Sequence, residues 1–273
     1  LASLGPGAGV PRRAALAVAT AVGSDEVVLT NSAWRFSCRE LQSALGLERL
    51  LVLNDFEALA LSLPRLSAAQ LRPIGVALPH ADGTLAVIGP GTGLGVAGVT
   101  RCRQGWLALP GEGGHATLAP ADEFESAVLA AARTRFAHVS AERLLSGIGL
   151  PVLQMAVAEA MGQTAELLPA EQIVERGLSG ADPVCERTVD TFCAMLGGFA
   201  GSVALTLGAR GGVYVGGGIV PRLGERFFTS RFRERFEAKG RFQSYLRDIP
   251  CALITDTLAA LTGAAVAIEQ DAA

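Results

Sequence analysis

The chain has 273 residues, half of them apolar, with 23 Lys and Arg against 26 Asp and Glu. That length supports one large domain or two lobes around a buried core, and a net charge of −3 leaves no basic footprint for nucleic acid. Five scattered cysteines (Cys38, Cys102, Cys185, Cys193, Cys251) without CxxC spacing read as reduced thiols of a cytoplasmic protein; no residue is assigned to a metal, because His80, His115 and His138 are too dispersed to complete a zinc site.

The opening LASLGPGAGVPRR starts at Leu1 and lacks the long apolar stretch of a signal peptide. Ala14–Thr20 is expected as a buried strand, and Val27–Thr30 as a strand beside it. Arg39–Leu45 predicts a short helix, Leu50–Leu53 a buried strand ending at Asn54-Asp55, and Ala58–Leu63 a helix stopped by Pro64. Prolines and polar residues cluster over Pro64–Pro79, where a lobe boundary is expected. Thr84–Ile88 and Val96–Val99 predict strands separated by GPGTGLG. Asp122–Phe136 is a predicted helix with Asp122 as N-cap and Glu125 in the capping-box position, and Ser140-Ala-Glu-Arg opens another.

Helices are expected over Glu171–Leu178 and Glu186–Leu207. The second has no charge between Asp190 and Arg210 and carries Gly197-x-x-x-Gly201, so it imitates a membrane span. Its small and polar residues favour a buried core helix, and no membrane partner is expected. Val213–Val215 is a strand running into Gly216-Gly217-Gly218. Arg222–Lys239 is an Arg-rich amphipathic segment, Ala252–Ile254 a last strand and Leu258–Glu269 a last helix. The alternation of buried strands and helices predicts an α/β fold.

Five segments carry candidate chemistry. In LPGEGGH (Leu109–His115), Glu112 and His115 sit three positions apart on a glycine-rich backbone, which suits a polyhydroxylated ligand such as a sugar; a solvated surface turn is the plainer reading. Asp55 follows an apolar strand, at the strand end where open α/β sheets bind ligands. A shielded carboxylate there can take a proton from an attacking hydroxyl, help worth roughly 10²–10⁴ in rate. Asn54 would orient the same ligand, although both residues also make good helix caps. Gly89–Gly95 contains alternating glycines, but VAGVT after it is a strand pattern, whereas a dinucleotide fingerprint opens a helix. A hairpin is expected instead, with Thr92 and backbone N–H groups able to surround phosphate oxygens. The bare Gly216–Gly218 backbone admits either a flat ligand such as adenine or close helix packing. Glu142, in the first turn of its helix, either favours the helix dipole or supplies a second sugar carboxylate.

LVLNDF, GPGTGLGVA, LPGEGGH, HVSAERLLSG and GGVYVGGGIVPR, in this order, resemble the bacterial ATP-dependent glucokinases of the actin-like (hexokinase–Hsp70) ATPase fold. The resemblance implies a two-lobed kinase, the small lobe formed by residues 1–65 with 255–273 and the large lobe by 66–254. It implies glucose and ATP as substrates, Mg²⁺ bridging the phosphates, Asp55 as the base for the sugar 6-hydroxyl, and Asn54, Glu112, His115 and Glu142 as sugar ligands. It also implies Gly91, Thr92 and Gly93 around the phosphates, Gly216, Gly217 and Gly218 facing adenosine, and a homodimer. Two departures stand out. Ala21 takes the place of a usual proline, and no Asp-x-Gly-Gly-Thr-like phosphate loop occurs before Ala14. The chain is therefore expected to begin inside the small lobe with an unpaired sheet edge. A catalytically inactive sugar-binding or regulatory relative is the alternative.

Overall fold

The computed structural model describes residues 11–20, 22–29, 33–75, 77–103 and 105–271; the opening arm to residue 10, Ala21 and Thr30 lie outside them. The amino-terminal part contains β1 (Arg13–Val18), β2 (Glu26–Val28), β3 (Arg35–Ser37), α1 (Cys38–Ala44), β4 (Arg49–Asn54) and α2 (Asp55–Ser62). Then come β5 (Leu71–Pro73), β6 (Leu85–Pro90), β7 (Leu94–Cys102), β8 (Gly105–Leu109), α3 (Glu123–Arg133), α4 (Ala141–Leu144), α5 (Leu150–Ala160), α6 (Ala170–Ser179) and α7 (Pro183–Leu207). The chain closes with β9 (Gly212–Val215), α8 (Ile219–Leu223), α9 (Glu225–Phe228), α10 (Phe232–Glu237), α11 (Gln243–Arg247), β10 (Cys251–Ile254) and α12 (Ala259–Gln270).

A mixed sheet in the order β5-β10-β9-β6-β7-β8 is the framework. β9 runs parallel to both β6 and β10, while β7 pairs antiparallel with β6 and β8. Both faces of this sheet are covered, which is why its central strands read as continuous apolar runs. Along β6, Ala86 and Ile88 enter one core with Phe192, Leu196 and Phe232, and Leu85 and Val87 enter the other with Leu61 and Leu63. The two-residue period of a strand makes that division.

The long apolar helix α7 belongs to the first core, and 78% of its most apolar window is buried. Its Gly-x-x-x-Gly pattern is used inside the chain: a Cβ at Gly197 would strike the Phe232 carbonyl, and one at Gly201 the Phe236 carbonyl, so α10 approaches to backbone contact. On the other face α12 packs along α2, where a Cβ at Gly263 would collide with the Ala58 carbonyl. Asp271, just past α12, accepts hydrogen bonds from Arg13 of β1 and Arg49 of β4.

Several expectations are corrected. β1 is half-buried rather than buried, with Leu16 37% exposed, because among the described residues it pairs only with β4. β2 does not lie beside β1; it pairs antiparallel with β3, a local closure fastened by Ser37 Oγ donating to Asp25. α2 starts at Asp55, three residues earlier than expected, because Asn54 caps it: the Asn54 side-chain oxygen accepts from the Phe56 and Glu57 N–H groups. Glu125 departs from a capping box, accepting from the Ala121 N–H and pairing with Arg235 in the interior. The amphipathic segment 222–239 is divided among the end of α8, α9 and α10, with a break at Gly224 (φ +54°). Helix α5 gave no periodic signal, since it is apolar on most sides and carries Pro151 in its first turn.

Candidate active site

Helix α2 springs directly from β4, so Asn54 and Asp55 stand at a strand's carboxyl end. Asn54 performs the capping role that the sequence allowed it. Both side-chain ends are engaged, the oxygen at the helix N-terminus and the amide nitrogen as donor to the Thr20 carbonyl at 3.2 Å. One amide N–H is left for a ligand. Asp55 opens the helix, and its Oδ1 accepts from the Phe56 N–H at 3.0 Å. Burial is the main influence on this carboxyl and lifts its pKa above the ordinary 3.8, against the pull of backbone N–H groups; the charge of Glu112 pushes the same way as burial. A carboxylate so placed is a stronger proton acceptor than one in open water.

β6 and β7 form the expected hairpin, with Gly89 directly opposite Gly95 and Pro90 opposite Leu94. The turn holds itself, the Gly91 N–H donating to the Gly93 carbonyl at 2.9 Å. The segment after α4 holds it from outside, Gly147 N–H reaching the Gly91 carbonyl at 2.7 Å. α4 itself brings Glu142 to the hairpin. Glu142 Oε2 accepts from the Leu94 N–H at 2.8 Å, in the space that a side chain at residue 93 would need.

The loop LPGEGGH lies against β7, and its glycines are explained by that approach. A Cβ at Gly114 would strike the Leu94 carbonyl, and one at Gly113 would lie 2.9 Å from Val96. The loop is also stitched to the segment before α4 by Ala141 N–H to the Ala116 carbonyl and Leu118 N–H to the Val139 carbonyl. His115 and Glu142, 27 positions apart in the chain, are thereby brought together. His115 Nε2 is 3.9 Å from Glu112 Oε2 and 3.8 Å from Glu142 Oε1. Those separations exceed hydrogen-bond length, so the three side chains keep donors and acceptors for a ligand. Glu112 and His115 are largely exposed (66% and 61%) whereas Glu142 is mostly covered (23%).

Gly216 to Gly218 do not act alike. Gly216 N–H donates to the Ile88 carbonyl, and a Cβ there would press on Leu59 at 3.2 Å. Gly217 adopts φ +76° with the Pro90 carbonyl against its missing side chain. Gly218 alone of the three has open space before it. It lines a cavity of about 410 Å³ together with Gly91 and Thr92 of the turn, Glu171 and Val174 of α6, and Arg222 of α8. The hairpin and the triple glycine, Thr92 and Gly218 being 126 residues apart, thus share one hollow. Arg222 donates to Glu171 at its edge at 3.2 Å. The sequence reading missed the α6 wall and did not give Arg222 a role; the arginine closing GGGIVPR was the available signal.

This topology is the α/β actin-like ATPase fold. A crystal structure of glucokinase from an Antarctic psychrotroph superposes with a TM-score of 0.89 at 40% identity, covering 95% of this chain and 81% of that one. The glucokinase of Aromatoleum aromaticum is 51% identical over 260 residues, 95% of this chain and 78% of its own length. That of Chromobacterium violaceum is 53% identical over 253 residues, 92% of this chain and 72% of its own length. The glucokinase family model matches residues 4–271, and the chain belongs to the glucokinase family.

Proposed function

We propose that this chain phosphorylates glucose from ATP, with Asp55 as general base. The 6-hydroxyl gives its proton to the Asp55 carboxylate as O6 bonds to the γ-phosphorus, and ADP leaves with the electron pair of the broken P–O bond. The observation that carries the assignment is the raised, half-buried carboxylate at the strand end, close enough to Glu112 to feel its charge. Glu112, His115 and the free oxygen of Glu142 hold the other hydroxyls, with one N–H of Asn54. Such a set rejects sugars that leave it unpaired.

The nucleotide runs along the cavity shared by Gly91, Thr92 and Gly218, with Gly93 beside the phosphates and Gly216 and Gly217 shaping the wall under adenosine. A side chain at Gly91 or Gly218 would fill space that the nucleotide needs, since neither glycine faces an atom within 4 Å. No group of three or more His, Cys, Asp or Glu among the described residues is arranged as a metal site. Mg²⁺ would be held mainly by the phosphate oxygens of the nucleotide and by water, with one or two carboxylates at most. When bound it offsets phosphate charge.

We extend the reading to the two lobes divided at about residue 65, to a homodimer, and to the cytoplasm, where the five free cysteines would stay reduced. The test is ATP-dependent formation of glucose 6-phosphate by this chain and by Asp55→Asn. Loss of turnover with glucose binding kept supports the base assignment, and undiminished turnover in the variant sinks it.

A further inference from the structure

Phe56 follows the proposed base directly, and its ring rests on the root of the phosphate hairpin. Gly89 and Gly95 face each other across β6 and β7, one rung below the turn. A Cβ on either would run into that ring: Cζ and Cε1 at Gly89, Cδ2, Cε2 and Cγ at Gly95. The alternating glycines of GPGTGLG therefore divide by position. Gly91 points at open space, whereas the pair Gly89 and Gly95 forms a bare rung that the ring occupies.

On one side of the ring is a single peptide bond to Asp55; on the other, a single residue along each strand leads to the turn. An aromatic ring is rigid, and non-bonded carbons settle about 3.5–4.0 Å apart. We infer that Phe56 is a positioning residue: the spacer that sets the distance between the base and the phosphate turn, with Gly89 and Gly95 as its socket. This inference rests on Asp55 being the base. It assigns Phe56 an effect on the chemical step rather than on glucose affinity, because the ring lies against Gly89 and Gly95 of the hairpin, whereas Glu112 and His115 stand on a different loop.

The experiment measures kcat, the KM for glucose, and ADP released per glucose 6-phosphate formed, each per folded enzyme counted by glucose binding. In Phe56→Leu, kcat is expected to fall roughly ten- to a hundredfold, the scale on which misplacement by about an ångström acts. The KM for glucose should stay within about threefold, and the ratio of ADP to product should rise. Gly95→Ala should be severely impaired beside Phe56, either in kcat or in folding, and should cost little more once Phe56→Ala has removed the ring. An unchanged kcat per folded enzyme in Phe56→Leu would overturn the inference, as would equal costs of Gly95→Ala in both backgrounds. Asp55→Asn separates the two readings. If it is inactive while Phe56→Leu is normal, the spacer fails and the base stands; if it stays active, the base assignment itself has failed.

Discussion

The two halves of the site are built by opposite means. The proposed nucleotide side is made largely of backbone, a self-bonded turn and three glycines that meet the Leu59 side chain, the Pro90 carbonyl and a cavity in turn. The proposed sugar side is made of side chains, an imidazole with two carboxylates held just beyond bonding distance of it. A backbone-built surface is fixed by packing, so it is disturbed by added volume. A side-chain-built surface is fixed by charge and hydrogen bonding, so it is disturbed by lost functional groups. Glu142 joins the two, with one oxygen on the Leu94 N–H and the other toward His115.

The sharpest test of the side-chain half is Asp55→Asn. Turnover should fall by about 10²–10⁴, read as glucose 6-phosphate formation, with glucose binding little changed. Stability should not fall with it. A carboxyl whose folded pKa is raised favours the fold below its unfolded value near 3.8, and loses that advantage as pH rises through the folded value. At neutral pH the buried charge is therefore a burden, and the thermal midpoint of Asp55→Asn should equal or exceed that of the parent.

The backbone half can be broken by single methyl groups, and the outcome should depend on which glycine receives one. Gly217→Ala must hold φ +76° and displace the Pro90 carbonyl. The conformation alone costs about 1–2 kcal/mol, so its denaturant midpoint should drop. Gly91→Ala meets no protein atom; its midpoint should hold while the KM for ATP rises. If the two variants behave alike, the division between packing glycines and ligand-facing glycines is wrong.

Two smaller effects sharpen the contrast. Arg222→Ala should raise the KM for ATP several-fold and leave that for glucose alone, since Arg222 lines the cavity proposed for the nucleotide and Glu112 and His115 do not. Glu112→Gln should move the acid limb of kcat/KM to lower pH, because Glu112's charge helps to raise the pKa of Asp55. A limb that stays in place would separate Glu112 electrostatically from the base.

Much of this was legible beforehand for definite reasons. The β6–β7 hairpin followed from a strand pattern resuming after Gly95, and the α/β class from continuous apolar strands between helices. The helix at 150–160 was missed because a segment buried on most sides has no polar stripe to betray its period. The pairing of β2 was misplaced because short strands carry no mark of their partner. Asn54 was legible both as a cap and as a ligand residue, and local sequence held no means of choosing; the Thr20 carbonyl, 34 residues away, takes one of its amide hydrogens.

What the sequence determined by itself was chemistry and local geometry: which residues titrate, where glycine removes a Cβ, where a strand must turn. Those properties belong to a residue and its near neighbours. Only the tertiary structure decided which glycines are packing sockets and which face a cavity, that Gly91 and Gly218 share one hollow, and that Glu142 closes on Leu94. Each depends on surfaces brought together by burying apolar area on both faces of one sheet. That driving force has no direction along the chain, so no local pattern can announce which distant backbone will lie against a given Cα.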